Sequence, residues 1–396
     1  MKIAIISDEH FPHTGADTEV IVNTAAALGD RGAQVTLIVP WLPGKRERLD
    51  DICSFYGVNP SFRLAPIFGW PFPSRKLRLE KMFHGLLGDL HPAVRGADVV
   101  HSRDVLPLMI ARVGGIPWSF ETYRRHVEEK PWLPPVARAL GVGSGVGAVA
   151  HSDASRLDLI RMGFSEDAVI TARPGFATER FAAPMSREEA RRKAGLPEHG
   201  PMVAYVGNIT PSKGLDQLLE VARRLPDVTF LVVGGNEQEV RELQTQVGGL
   251  GLRNVTLLGH RRPSEVAPYL FAADALFAPG IWANVHSGWL AKAFPSTVLP
   301  GVPLKLYAYL ASGRPIVGAD LAIYRDLLCH GDNALLFPPG SMDVAAESIR
   351  RLVSDRGLGE RLANRGLELV KTHTWDARAQ AMLSFFERRL AAGAPA

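Results

Sequence analysis

Cysteine is nearly absent: Cys53 and Cys329 are the only two in 396 residues. That excludes a disulfide framework and makes a reducing cytoplasm the expected home. No run of eighteen or more apolar residues occurs, which excludes a membrane-spanning helix. The opening MKIAIISDEH has too short an apolar core, followed by acidic residues, for a secretory signal. It reads as a first β-strand. HExxH and CxxC are both missing and the histidines are scattered, so no metal site is expected. No GxSxG elbow is present, which removes the commonest serine-nucleophile signature. GxxxxGK[ST] and GxGxxG are also missing, so neither a Walker loop nor a dinucleotide fingerprint is expected. Charge of neither sign dominates: 45 Lys and Arg against 41 Asp and Glu leave +4. With basic residues spread along the chain and no recognised nucleic-acid motif, nucleic acid is not an expected partner.

What is present is a repeated alternation of short apolar runs and helical patterns. Hydrophobic residues make up 46% of the chain, and its length favours two domains. In the first half IAIIS (3–7), VTLIV (35–39), ADVVH (97–101), WSFET (118–122), GAVAHS (147–152) and AVITARP (168–174) read as buried strands. In the second, MVAYVG (202–207), TFLVVGG (229–235), NVTLLG (254–259), ADALFAP (273–279), RPIVGA (314–319) and ALLFPP (334–339) do the same. Continuous apolar strands separated by helices imply parallel sheets covered on both faces. The fold class is therefore α/β, with two Rossmann-like, doubly wound domains. The first is placed at 1–180, a linker at 181–200 and the second domain at 201–373. The linker contains Pro184, a capping-box pattern from Ser186 to Glu189, and the breaker run GLPEHG at 195–200. A long helix at 374–392 carries an apolar stripe through Trp375, Ala379, Met382 and Phe386. The run 303–341 reads as helix, strand, a second helix and a last strand.

Candidate sites lie where strands end and helices begin. Gly15, after the first strand, offers a tight turn ahead of a helix whose free amides suit an anion. In GNITPSKGLDQLLE (207–220), Lys213 sits in a first helical turn, where it opposes the helix dipole unless an anion is nearby. Gly234–Gly235 form another strand-end turn. His101 ends a strand, and Arg124, Arg125 and His126 follow one. Arg75, Lys76, Arg78 and Lys81 lie beside Trp70, Phe72 and Phe83, a pattern of a helix that docks on anionic lipid or of an ordinary solvated helix face.

Taken together, these motifs resemble the retaining glycosyltransferases of the GT-B fold known as glycosyl transferases group 1, or family 4. DEHFPHTGADTEV, ADVVHSRD, YVGNITPSKGLDQLLE, PLKLYAYLASGRPIVGADL and HTWDARAQ carry the resemblance across nearly the whole chain. It implies two domains facing a cleft, a nucleotide-diphosphate sugar on the second domain, and a glycan, lipid-linked or small-molecule acceptor on the first. It also implies transfer with retention, no metal and no cofactor. Lys213 falls on the family's phosphate lysine and is the catalytic candidate. Gly15 falls on the loop glycine and Ala16 on its common second glycine. Gly207 ends the donor strand, and Gly235 belongs to the same crevice. Asn208 falls where many members carry arginine. Gly301, Leu304 and Lys305 fall around the diphosphate, while His101, Tyr123 and Arg124 fall on the acceptor or sugar side. The family's two paired glutamates are here Pro300 and Ala308, and its sugar-contacting histidine is Tyr123. Trp282, His286 and Trp289 could shape a sugar or base pocket. A lapsed transferase acting as a binding subunit, or another enzyme of the same fold such as a nucleotide-sugar epimerase, are the alternatives. A peripheral contact with the inner membrane face through Arg75–Lys81 belongs to the same reading.

Overall fold

The computed structural model describes residues 1–41, 48–68, 79–122, 134–135, 145–210, 213–280 and 303–393. The chain divides into two compact units, Met1–Ala177 with Thr374–Ala396, and Thr178–His373.

The first unit is built on a seven-stranded sheet. Its strands are β1 (Lys2–Ile6), β2 (Gln34–Trp41), β3 (Arg63–Phe68), β4 (Val99–Ser102), β5 (Trp118–Thr122), β6 (Gly147–Ala150) and β7 (Val169–Thr171), in the order β3-β2-β1-β4-β5-β6-β7. Every neighbour pair is parallel. Residues such as Ile3, Val35, Val99, Ala148 and Val149 lose nearly all contact with water, as a sheet covered on both faces requires. β3 is absent from the sequence reading. Its run RLAPIF is apolar but interrupted by Pro66, and only Ala65 in it is buried, the pattern of an edge strand. The helix Trp375–Ala391 belongs to this unit and packs on the helix Ala16–Asp30, with Arg31 held by the Asp376 carboxylate at 2.7 Å. Its buried stripe includes Trp375, Ala379, Met382 and Phe386.

The second unit carries β8 (Met202–Val206), β9 (Thr229–Val233), β10 (Val255–Gly259), β11 (Ala275–Ala278), β12 (Ile316–Ala319) and β13 (Leu335–Phe337), ordered β10-β9-β8-β11-β12-β13 and parallel throughout. Two points differ from the sequence reading. Residues 181–200 are no free linker, because the helix Arg187–Ala194 is built into this unit. The buried Arg191 donates to the carbonyls of Ala272, Glu198 and Gly200 and to Asp274, whose carboxylate also accepts from the Met202 amide. Where a second helix is expected between the last two strands, residues 320–328 are successive turns closed by bonds such as Tyr324 N–H to Leu321 O at 2.8 Å. Asp320 is drawn to Arg325 instead of starting a helix.

In each sheet the strand order reverses once, between β1 and β4 and between β8 and β11. Loops leave the carboxyl ends of the two central strands in opposite directions there and open a crevice.

Candidate functional site

In the second unit the crevice between β8 and β11 is lined by glycine turns, two lysines and buried tyrosines. Gly207 follows β8 with φ 144°, and its amide donates to Val233 O at 3.0 Å. A Cβ there would lie 3.2 Å from the Tyr205 hydroxyl and 3.7 Å from Cδ of Lys305. Gly214 caps the helix Leu215–Arg224 in the left-handed region, φ 73°, and a Cβ there would lie 3.0 Å from the Gly280 amide. The helix start is thus pressed against the turn that follows β11, and no side chain caps its amides. Lys213 stands just before it, with its amide bonded to Thr210 O. Burial pulls the Lys213 ammonium below its ordinary pKa. A half-buried cation beside an uncapped helix start is a place where an anion would be stabilised.

The helix Leu304–Ala311 forms the other wall. Pro303 precedes it and no side chain caps it. Tyr309 locks this helix to the end of β8: the Val206 amide donates to its hydroxyl at 2.8 Å. Burial drives the Tyr205 and Tyr309 hydroxyls well above their ordinary pKa, so both stay neutral. Tyr205 in turn donates to Asn208 O at 2.7 Å. Lys305 leaves the first turn of the helix and lays its ammonium over the Tyr205 ring, 4.4 Å from the centroid. Its Nζ is shielded from solvent and has no hydrogen-bond partner among the described residues, although part of the side chain remains accessible. Burial, and secondarily the charge of Lys213, pull it down to about 7. Ala308 sits half-buried on the same helix. The nearby Asp320 and Tyr324 are already engaged: Arg325 clamps Asp320 at 2.7 Å, and Tyr324 donates to Pro279 O at 3.0 Å.

Gly234 and Gly235 have a packing role. A Cβ on Gly234 would fall 1.9 Å from Gly207 O, and one on Gly235 would fall 2.5 Å from Ile209. The helix that follows, Glu237–Gly249, is closed by its own capping box of Asn236 and Glu239 and carries two acidic residues in its first turn. That start repels anions. Gly235 therefore shapes the crevice by letting two turns approach, not by presenting a donor site of its own.

In the first unit the crevice is different. Gly15 has φ −74° and ψ 143°, an ordinary extended conformation, so it does not supply the left-handed turn. Its role is space, since a Cβ would meet His13 Nδ1 at 3.0 Å, the atom that accepts the Gly15 amide. Ala16 opens the helix Ala16–Asp30, and Asp17 and Glu19 already face its positive end, with Arg103 paired to Asp17 at 3.0 Å. His101 lies inside the unit at 3% exposure. Its Nε2 meets Glu121 at 3.0 Å and its Nδ1 meets Ser119 at 3.3 Å. Both ring nitrogens are occupied, which takes it off the acceptor surface. Glu121 also accepts from Arg378 at 2.6 Å and meets His151 at 2.7 Å. Although burial pushes the other way, these cationic and hydrogen-bonding neighbours hold the Glu121 carboxyl well below its ordinary range. Burial pulls the His151 imidazole down. A carboxylate inside the apolar run WSFET was the visible signal for this cluster, which sequence reasoning passed over.

Tyr123, Arg124, Pro300 and Gly301 lie outside the described residues, as do Trp282, His286 and Trp289 and the side chains of the 75–81 basic stretch. Among the described residues no helix is long and apolar enough to cross a membrane, and no group of three His, Cys, Asp or Glu could hold a metal.

Residues 186–368 match the family profile of glycosyl transferases group 1. A phosphatidyl-myo-inositol mannosyltransferase of Mycobacterium leprae is 28% identical over 207 residues, 51% of this chain and 50% of that protein. The chain thus spans about half the length of that relative. A phosphatidyl-myo-inositol mannosyltransferase of Mycobacterium tuberculosis H37Rv is 27% identical over 414 residues, covering 100% of this chain and 98% of that one. Among solved structures, Anabaena HepE in complex with UDP and glucose has a TM-score of 0.70 at 18% identity, over 97% of this chain and 99% of that one. Residues 186–368 are thus similar to glycosyl transferases group 1, and the two parallel-sheet α/β units have the GT-B fold of the solved structures they resemble.

Proposed function

We propose that the protein is a glycosyltransferase that takes a hexose from a nucleotide-diphosphate sugar and passes it, with retention, to a glycan, lipid-linked or small-molecule acceptor. One observation carries the reading: the β8–β11 crevice gathers half-buried Lys213 and two uncapped helix starts around glycine turns. That arrangement answers to a diphosphate. As the bond to the sugar breaks, the leaving diphosphate gains charge. Fixed ammonium and amide groups favour that charge more than the ground state, which lowers the barrier. Lys213 is the group assigned to the diphosphate, and its burial in the free protein means that the anion relieves a standing penalty. The charge comes from side chains and helix amides, so the proposed chemistry calls for neither metal nor cofactor.

The M. tuberculosis relative that aligns over the whole chain is named a mannosyltransferase, and HepE was solved with UDP and glucose. GDP-mannose and UDP-glucose are therefore the first donors to test. Ala308 and Asn208 favour a second reading, a binding subunit without turnover, because they lack the glutamate and arginine of the family pattern. A thermal-shift screen of nucleoside diphosphates, followed by an assay of donor hydrolysis, separates the two. Stabilisation with turnover supports the transferase; stabilisation with no turnover of any donor supports the binding subunit. No stabilisation by any nucleoside diphosphate sinks both.

A further inference from the structure

We propose that the side chain of Lys305 is the second cation of the nucleoside-diphosphate site and supplies the charge that Asn208 does not. This rests on the donor-site reading above. Four observations on different elements converge on it. Lys305 stands in the first turn of an uncapped helix, where the dipole opposes a cation. Its ammonium can donate three hydrogen bonds and makes none among the described residues, while Nζ is shut away from water. The Tyr205 ring covers one side of it at 4.4 Å. Lys213, from the turn after β8, is the charge that adds to its destabilisation, and neither lysine has an ion-pair partner among the described residues. Two neighbouring lysines with no acid paired to them among the described residues form a site that an anion would complete.

The stem of Lys305 also fixes where its charge sits. It passes Gly207 closely enough that a Cβ there would lie 3.7 Å from its Cδ. Asn208 is the next residue. The cation has thus moved from the loop onto the facing helix, and the crevice end of β8 is kept open by a glycine to receive it. The other groups around it are neutral or engaged. The Tyr205 hydroxyl donates to Asn208 O, the Tyr309 hydroxyl accepts from the Val206 amide, and the Tyr324 hydroxyl donates to Pro279 O. Among the described residues no strong acceptor is left for Nζ, and a diphosphate oxygen would supply one.

Calorimetric titration of the full chain with UDP and GDP, and with uridine and guanosine, tests this. Lys305→Met keeps the length of the side chain and removes the charge. It is expected to weaken diphosphate binding about ten- to a hundredfold, the range of a charge-assisted hydrogen bond, and to leave nucleoside binding unchanged. Adding Asn208→Arg to that variant is expected to restore most of the loss. If the wild-type protein binds no nucleoside diphosphate, the donor-site reading fails and this proposal with it. If the wild type binds and Lys305→Met binds within threefold, this proposal alone is overturned. An equal loss for nucleoside and diphosphate also overturns it, since that marks a collapsed pocket. Should Lys305→Met fold poorly, titration of the wild type at pH 8.5 in two buffers of different ionisation enthalpy decides instead. Proton uptake on diphosphate binding supports the proposal and its absence refutes it.

Discussion

Lys305→Met is expected to make the free protein more stable, although it damages the site. In the unfolded chain a lysine titrates near 10.5, whereas here burial and then Lys213 pull Lys305 down to about 7. Between those values the unfolded chain binds more protons than the folded one, so stability rises with pH across that window. Below pH 7 the penalty is at its full size, and above about 10.5 it is gone. At about 1.36 kcal/mol for each tenfold change, the ceiling is on the order of 5 kcal/mol. The side chain is only part-buried and can swing its ammonium toward water, so the expected gain at pH 7 is about 1–3 kcal/mol. For a unit of this size that raises Tm by roughly 2–4 °C per kcal/mol. Calorimetry of both proteins at pH 7 and pH 10 would read it. The gain should shrink at the higher pH. A variant that is less stable at pH 7, or equally stabilised at both pH values, would refute the reasoning, because either result means that Lys305 carries no unrelieved charge.

Other consequences follow from the same balance of charge and space. Glu121→Gln leaves Arg378 buried without its carboxylate, so the first unit should lose about 3–5 kcal/mol in chemical denaturation, with a smaller effect on the second unit. His151 is held below its ordinary pKa by burial, so between that lowered value and about 6.5 the unfolded chain takes the proton first and the first unit weakens as pH falls. Replacing His151 by Gln should flatten that acid limb in a pH series of melts. Gly234→Ala would put a Cβ 1.9 Å from Gly207 O at φ 135°, and should destabilise the second unit by more than about 2 kcal/mol. Lys213→Met should weaken nucleoside-diphosphate binding about tenfold or more in the same titration that tests Lys305.

The strand pattern was legible because buried parallel strands are uniformly apolar. All six strands of the second sheet fall within runs read from sequence, and β12 and β13 end where Gly and Pro signals put them. What failed had weak or shared signals. Edge strand β3 is apolar, but Pro66 inside it breaks the strand signal and only Ala65 is buried. Residues 320–328 have helical composition, but the Asp320–Arg325 pair and the buried Tyr324 hydroxyl close turns there. Of the capping box expected from Ser186 to Glu189, the Ser186 side chain accepts the Glu189 amide at 3.1 Å; the long-range ties of Arg191 to Ala272 and Asp274 have no signal in the sequence.

The candidate site shows the same limit more sharply. A lysine in a first helical turn and a histidine at a strand end both look like chemistry waiting for a ligand. Sequence position treats them alike, and only the partners separate them. His101 has Glu121 on one nitrogen and Ser119 on the other, so its charge problem is solved within the unit. Lys305 has an aromatic face, a like charge and, among the described residues, no acceptor. Protein interiors satisfy buried polar groups with few exceptions. A buried ammonium left unsatisfied at the point where a parallel sheet reverses its order is thus better evidence for a ligand than a motif letter. It also bears on Ala308: losing one family side chain removes a contact, but the crevice keeps two cations whose placement is unfavourable without an anion. A site that had drifted out of use would be under no constraint to hold that arrangement, and Met at either position would relieve it. The nucleoside-diphosphate titration of the wild type is therefore the measurement on which the donor site stands or falls.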